Sequence, residues 1–556
     1  MALSDRDATP APLCVVVIPA RDEEASIGAC LGALSAQSIG RGGFEIILVL
    51  DACVDRTERV ARRVAGELGL TLDTIPGAGE GAGAARRLGM EAAAAQLIAA
   101  GRPDGLIACT DADSRPAPDW LERQLDHLRG GARAIAGLVE IDPDELQGLA
   151  AGVRRRRERN ASDRLSRVRQ TDPAAAHHHF AGASIGITAG TYRQVGGLEP
   201  LSALEDQAFA SRLDAHGVPI LRAADVRVLT SARSRGRASR GLAVDLEVSS
   251  WLEHRRYRAA DFPAERLAAI KGSRSVSVVI PTKSCATTIG AVIGRTVAPL
   301  AEHDLVDQLL VIDADSPDGT AEAAQAAGAQ VLQQDEVQPE RGPALGKGDA
   351  MWRALSVATG DLVCFLDGDT GDPHPHHLQG LLGPLLSDPE LRLVKGSFAR
   401  PLSSGPHSLA DEGGRVTELM ARPLLNLHEP RLAGFTQPLA GEFAARRELL
   451  QALSFPVGYG VEIAILIDAL RREGLDALAE SDLGQRQNRH QPLRALGEMA
   501  YAVLAAVERR LPAGRNVIGG AYLRPWEDGR VVPVPVQERP PLASLPHRQG
   551  LSAGVR

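Results

Sequence analysis

The chain reads as an α/β protein made of two tandem domains, each built on a mostly parallel sheet. Three observations predict this. Apolar, β-rich runs ("CVVVIP", "EIILVL", "GLIACT", then "VSVVIP", "QLLVID", "DLVCFL") alternate with Ala-rich segments of helical periodicity, the signature of βαβ units. The same stations recur in the same order: Asp51 follows Pro19 by the 32 residues that also separate Asp313 from Pro281. Finally, 556 residues exceed what one core organises, and domains of about 200–250 residues are the natural prior.

Taken in order, "VIPARDEEASIG" (17–28) is echoed by "VIPTKSCATTIG" (279–290), with Asp22, Glu23 and Glu24 replaced by Ser284, Cys285 and Ala286. "ILVLDACVDRT" is matched by "LLVIDADSPDGT", "GAGAARRLGM" by "GPALGKGDAMWRAL", and "LIACTDADS" by "LVCFLDGDT". The division expected is 1–241 for the first domain, 242–272 for a helical, charged connector and 273–510 for the second domain. A Pro- and Gly-rich tail over 511–556 is expected to be loosely ordered.

Composition narrows the function. A net charge of −8 with 44% hydrophobic and 24% charged residues is that of an ordinary globular protein and argues against a nucleic-acid binder. No run of about 18 apolar residues occurs and the start lacks an apolar leader, so a cytoplasmic protein without stable membrane insertion is expected. Nothing in the sequence excludes a homodimer. Six cysteines stand singly, without CxxC or zinc spacing, and read as reduced core thiols.

The pairs Asp111/Asp113 and Asp367/Asp369 each follow an apolar strand. Side chains at i and i+2 of a strand share a face, so both carboxylates can converge on one cation. Hard oxygen ligands suit Mg²⁺ or Mn²⁺ on a diphosphate. Taken alone, D-x-D is equally a turn after a strand. Its recurrence at one station of a duplicated pattern favours the metal.

On these motifs the first half resembles a family 2 glycosyltransferase of the GT-A (nucleotide-diphospho-sugar transferase) fold, from "VVVIPARDEEASIG" through "CTDADS" and "GASIGITAGTYRQVGG" to "LEDQAFASRL". The second half is similar to the glucosyl-3-phosphoglycerate synthases, through "GPALGKGDAMWRAL", "LVKGSFARPL", "GGRVTELMARPLL", "QPLAGEFAARRELL", "FPVGYGVEIAILID" and "LDALAESDLGQRQNRHQPL". The resemblance implies two Rossmann-like GT-A domains and a nucleotide sugar, UDP-glucose or GDP-glucose, as donor. The acceptor it implies is like 3-phosphoglycerate.

It also implies site residues. Pro19, Ala20, Glu23, Asp51, Arg86 and Asp111 would hold the donor in the first half, with Asp113 on the metal and the acid pair Glu205/Asp206 supplying the general base. A carboxylate there accepts the acceptor's proton opposite the leaving group. In the second half Pro281, Asp313, Lys347 and Asp367 would bind the donor. Asp369 and Asn488 would bind the metal, and Gly414, Arg415 and Thr417 would cradle the acceptor phosphate. Glu462, a carboxylate inside an apolar helix, would stand near the reacting groups, because an unpaired charge there is costly.

Two positions depart from the family pattern. Its donor-binding acid falls at Cys285 and its metal-binding His at Asn488, with His490 two residues further on. A lost hydrogen bond from a carboxylate is worth roughly 1.5–3 kcal/mol, which weakens a donor site without abolishing it. The expected function is a two-module transferase; the alternative is one catalytic first module beside a second that only binds phosphometabolites or is structural. Elsewhere, "SARSRGRASRG" (231–241) is a grip for diphosphate or a solvated loop, "AHHHF" an acceptor-side loop, and "VRRRRERN" a solvated helix face. Neither a G-x-G-x-x-G loop for a dinucleotide nor a Walker loop at Lys347 is present.

Overall fold

The computed structural model describes residues 14–201, 203–233, 236, 240–399, 414–486, 492–511, 520–524, 526 and 530–545, with backbone alone at 402–404 and 407–409. The chain divides into two compact units after Ser249. Each is a mixed α/β unit on a GT-A-like sheet.

In the first unit, β1 (Cys14–Ala20), β2 (Phe44–Asp51), β3 (Leu72–Gly77) and β4 (Leu106–Cys109) run parallel. A short β5 (Ser114–Pro116), β6 (Ala134–Ile141), β7 (Ile185–Thr188) and β8 (Ile220–Thr230) complete an eight-stranded sheet of order β3-β2-β1-β4-β7-β6-β8-β5. Here β7 is antiparallel to both neighbours. Successive side chains of β1 feed opposite faces: Cys14, Val16 and Ile18 enter one core, Val15 and Val17 the other. Burial on both faces explains why these strands read as unbroken apolar runs.

The second unit repeats the design. It contains β9 (Arg256–Arg258), β10 (Val276–Thr282), β11 (Gln308–Asp313), β12 (Gln330–Gln333), β13 (Leu362–Phe365), β14 (Leu393–Ala399), the hairpin β15 (Leu402–Ser404) and β16 (His407–Leu409), β17 (Phe443–Arg446), β18 (Phe455–Pro456) and β19 (Leu478–Gln485). Its main sheet has the order β12-β11-β10-β13-β17-β14-β19-β9, station for station that of the first except at the last strand. In both units the parallel central strands end on one side, so the loops after β1, β2 and β4, and after β10, β11 and β13, gather at one edge, where open α/β sheets bind ligands.

Two expectations need correction. The connector is not purely helical: Arg256–Arg258 pair in register with Glu480–Asp482, and Ala259, Phe262, Ala264 and Leu267 lie in the second core. A three-residue strand recruited by a partner over two hundred positions away leaves no periodic signal. The tail is not loose where it is described: Glu538–Arg539 pair with Phe455–Pro456, and the Trp352 indole donates to the Pro540 carbonyl at 2.8 Å. Arg539 forms a two-pronged pair with the fully buried Asp349, at 2.8 and 2.7 Å. Its prolines mask that docking, because the anchors are single side chains in an otherwise polar stretch.

Candidate active sites

The opening loops of the two units share a backbone scaffold while differing in side chains. Asp22 has φ 50° and Ser284 φ 55°. The Glu23 amide donates to Thr57 Oγ1 at 2.7 Å and the Glu24 amide to Asp55 at 3.0 Å; the Cys285 amide donates to Thr320 Oγ1 at 2.8 Å and the Ala286 amide to Asp318 at 3.2 Å. In the first unit the Asp22 carboxylate also accepts the Val54 amide at 2.7 Å and Glu24 the Arg56 amide at 3.1 Å, yet the second unit keeps the turn with Ser284, Cys285 and Ala286 in their place. Pro19 and Ala20 end β1, and Pro281 is the penultimate residue of β10.

In the first unit three groups of charges meet. Arg86, almost fully buried, pairs with Asp111 at 2.6 Å and with Glu205. Gly182 lies so close to this guanidinium that any Cβ would overlap it. Arg233 donates twice to Glu23, at 2.9 and 2.7 Å, and reaches Asp113 at 3.0 Å. Asp51 accepts the Gly79 and Gly81 amides at 2.7 and 3.0 Å.

The acids differ accordingly. Burial, then the charge of Asp111, pushes the Asp113 carboxyl up to about 6 against the pull of Arg233. Burial and the neighbouring Glu205 raise Asp206, whose carboxylate accepts the Gln207 amide at 2.7 Å. Glu205 is committed to Arg86, whereas Asp206 makes no ion pair among the described residues.

In the second unit Lys347 spans two acids, Asp367 at 2.8 Å and Glu462 at 2.9 Å. Burial disfavours its ammonium, but Asp367 and Glu462 outweigh that and raise its pKa above the ordinary lysine value. Asp367 also accepts from Arg486 at 3.3 Å, and Arg486 in turn donates to Thr370 at 2.7 Å, pairs with Glu442 and lies over the Phe398 ring. Gly441 abuts Asp367 and Lys347 so closely that a Cβ would collide with both.

Asp313 is fully buried and accepts from Thr282 at 2.9 Å and from the Ser316 amide and hydroxyl at 2.8 and 2.7 Å. Gly414 (φ 69°), Arg415 and Thr417 open a π-helical stretch, Thr417–Ala421. No hydrogen bond joins Gly414 or Thr417 to the Lys347 cluster among the described residues. Asn488 lies outside the described residues.

The residues present suit a divalent cation. Asp369 makes no hydrogen bond to another side chain and no ion pair among the described residues, and burial followed by the charge of Asp367 raises its carboxyl. Asp113 is raised in the same way, with the Arg233 guanidinium standing beside it. A carboxyl raised by burial and by a second carboxylate gains from a bound cation, and hard oxygen donors match Mg²⁺ or Mn²⁺.

Sequence reasoning did not single out Arg486, Glu442, Gly441 or the buried Lys395, whose ammonium donates to the Ala440 carbonyl at 2.6 Å. "QPLAGEF" and "LVKGSF" held the signal, a Gly beside an acid and a Lys inside an apolar strand. Arg233 belongs to the basic run read as a diphosphate grip or a solvated loop.

Two GT-A-like sheets with a D-x-D pair and a basic residue at each loop edge define a nucleotide-sugar-dependent glycosyltransferase, a hexosyltransferase by class. The model of glycosyl transferase family 2 matches residues 15–188 and 277–407, and the chain belongs to that family. It is 40% identical over 305 residues to the glucosyl-3-phosphoglycerate synthase of Mycolicibacterium paratuberculosis, covering 53% of this chain and 92% of that protein. Among solved structures, mannosyl-3-phosphoglycerate synthase from Rubrobacter xylanophilus shares 44% identity over 53% of this chain and 99% of its own, with a TM-score of 0.48. The glucosyl-3-phosphoglycerate synthase of Mycobacterium tuberculosis, solved with Mn²⁺, UDP-glucose and phosphoglyceric acid, shares 41% over 51% and 95%, with a TM-score of 0.46. Among the described residues no helix is long and apolar enough to cross a membrane.

Proposed function

We propose that the second unit transfers a glucosyl group from a nucleoside diphosphate glucose to the free hydroxyl of 3-phosphoglycerate, and that the first unit is a separate inverting transferase. In the second unit the bond from the anomeric carbon to the diphosphate oxygen breaks. A bond from that carbon to the acceptor hydroxyl oxygen forms, the diphosphate departs with the bonding electrons, and the hydroxyl proton is released to solvent. The observation that carries the reading is Lys347 held between Asp367 and Glu462, with Asp369 making no ion pair among the described residues. The curated relative's name and the synthase-like motifs along 275–510 support assigning the reading to this half.

Asp369 and Asp367 would hold the divalent cation, with Asn488 as a third ligand, and the cation when bound supplies charge neutralisation to the departing diphosphate. Lys347 would add a donor to the same phosphate oxygens, and Glu462, held by Lys347 at 2.9 Å, would stand near the reacting sugar. Backbone N–H of Gly414, the Arg415 guanidinium and the Thr417 hydroxyl orient the acceptor phosphate. In the first unit Arg86 and Asp111 fix the donor loop, Asp113 would bind its cation, Glu23 and Asp51 the nucleoside, and Asp206 accepts the acceptor's proton.

A second reading, in which the second unit binds phosphometabolites without transferring sugar, is favoured by Cys285 in the place of Glu23 and by an Asp313 already saturated by Thr282 and Ser316. The two readings separate when the purified chain is incubated with Mg²⁺ or Mn²⁺, 3-phosphoglycerate and UDP-glucose, GDP-glucose or GDP-mannose, and products are followed by mass. A glucosylphosphoglycerate product supports the transferase; no new O-glycoside of 3-phosphoglycerate with any donor sinks it.

A further inference from the structure

Lys395, the third residue of β14, is 1% exposed, and its ammonium lies 5.2 Å from the centroid of the Phe443 ring. It makes no ion pair among the described residues. Its hydrogen bond goes to the Ala440 carbonyl, at 2.6 Å. A buried ammonium with a single neutral partner is held at a cost, and a Met of similar length would fill the space without that cost. Stability alone does not call for a lysine here, and departures of this kind concentrate where function needs them.

The carbonyl that Lys395 holds belongs to the peptide joining Ala440 to Gly441. Gly441 is the point at which the main chain passes against the site, so close that a Cβ there would overlap both Asp367 Oδ1 and Lys347 Nζ. On its far side the Glu442 carbonyl accepts the Gly396 amide at 2.9 Å, and the Glu442 carboxylate pairs with Arg486. Both flanks of Gly441 are therefore tied to β14, one through a main-chain amide and the other through the Lys395 side chain. The Gly441 amide makes no hydrogen bond among the described residues, so the Ala440–Gly441 peptide is held by its carbonyl and hence by Lys395. Glycine turns readily about φ. Once that carbonyl is released, the peptide is free to rotate and to change what faces Asp367 and Lys347.

We infer that Lys395 is a positioning residue for sugar transfer in the second unit: by holding the Ala440 carbonyl it fixes the Gly441 backbone against Asp367 and Lys347. It thereby sets the geometry of the pairs that Lys347 makes with Asp367 at 2.8 Å and with Glu462 at 2.9 Å. This rests on reading the second unit as a transferase. Misplacing a catalytic group by about 1 Å can cost on the order of 100-fold in rate, so a single hydrogen bond outside the site is enough to matter.

The test is steady-state kinetics on the full chain carrying Lys395→Met, with the donor from which the unsubstituted protein makes glucosylphosphoglycerate, and with rates expressed per folded molecule. A lysine that only supports the fold would leave kcat on that scale unchanged. Instead kcat is expected to fall about ten-fold or more, with KM for 3-phosphoglycerate changed less than about two-fold, because no hydrogen bond joins Lys395 to Gly414 or Thr417 among the described residues. Lys395→Gln, a polar side chain one atom too short to reach the carbonyl, is expected to lose kcat in the same way and serves if the Met variant does not fold. Adding Gly441→Ala to either variant is expected to cost less than the product of the single losses, since both changes act on one peptide. A kcat within about two-fold of the unsubstituted protein, or losses that multiply, would overturn the inference. No glucosylphosphoglycerate from the unsubstituted protein with any donor is a different result, which sinks the transferase reading and this inference with it.

Discussion

The Lys347 ammonium lies 2.9 Å from Glu462 while holding Asp367 at 2.8 Å. It ties the first turn of one helix to a strand end and to the first turn of another. In Lys347→Met Glu462 and Asp367 both lose the ammonium, while Arg486 still reaches Asp367 at 3.3 Å. Hydrogen bonds to charged groups are worth roughly 1.5–3 kcal/mol, so kcat/KM for glucosyl transfer is expected to fall about 10- to 100-fold in steady-state assays. A change under two-fold would remove Lys347 from the site.

Gly441 offers a purely steric test. Its backbone passes against Asp367 and Lys347, where no Cβ fits. Gly441→Ala is expected to push the pair apart and lower kcat/KM by about ten-fold or more, at a cost of roughly 1–3 kcal/mol in stability from overpacking. Wild-type activity would show that the pair is free to shift without consequence.

Lys395 gives a pH dependence of folding. Burial lowers its pKa from the ordinary 10.5 to about 8. Between these values the unfolded chain binds a proton that the folded chain does not, so stability rises with pH across that window. Below pH 8 both states are protonated and the burial penalty is fully felt. The rise is worth roughly 3 kcal/mol. Urea unfolding at pH 7.5, 9 and 10 is expected to show a smaller rise in Lys395→Met than in wild type; identical slopes would contradict the burial argument.

The docked tail predicts a stability effect far from any substrate. Among the described residues, Arg539→Ala leaves the fully buried Asp349 with Arg353 and the Leu345 amide. A loss of about 1–3 kcal/mol is expected for removing one partner of a buried charge, read as a lower urea midpoint. An unchanged midpoint would mean that the Arg539 pair contributes nothing to holding the unit together.

The sequence made the sheet architecture legible because strands buried on both faces announce themselves as apolar runs, and because duplication doubled each signal. The D-x-D pairs and the loop after β1 were readable for the same reason. What stayed hidden were contacts made by single side chains across long stretches of chain, such as Arg486 to Asp367 and Arg233 to Glu23, and the strand Arg256–Arg258. The difference between Glu205 and Asp206 was hidden too, since only the folded unit brings Arg86 to one of them. Even the lost acids at 284–286 read differently once their loop is seen to hang on Thr320 and Asp318.

The most direct measurement compares Asp113→Ala with Asp369→Ala in full-length protein, following glucosylphosphoglycerate by mass in the presence of Mg²⁺ or Mn²⁺. Loss of this product in Asp369→Ala, with retention in Asp113→Ala, is the result expected if the second unit is the synthase. Retention in Asp369→Ala with loss in Asp113→Ala would contradict it and move the chemistry to the first unit.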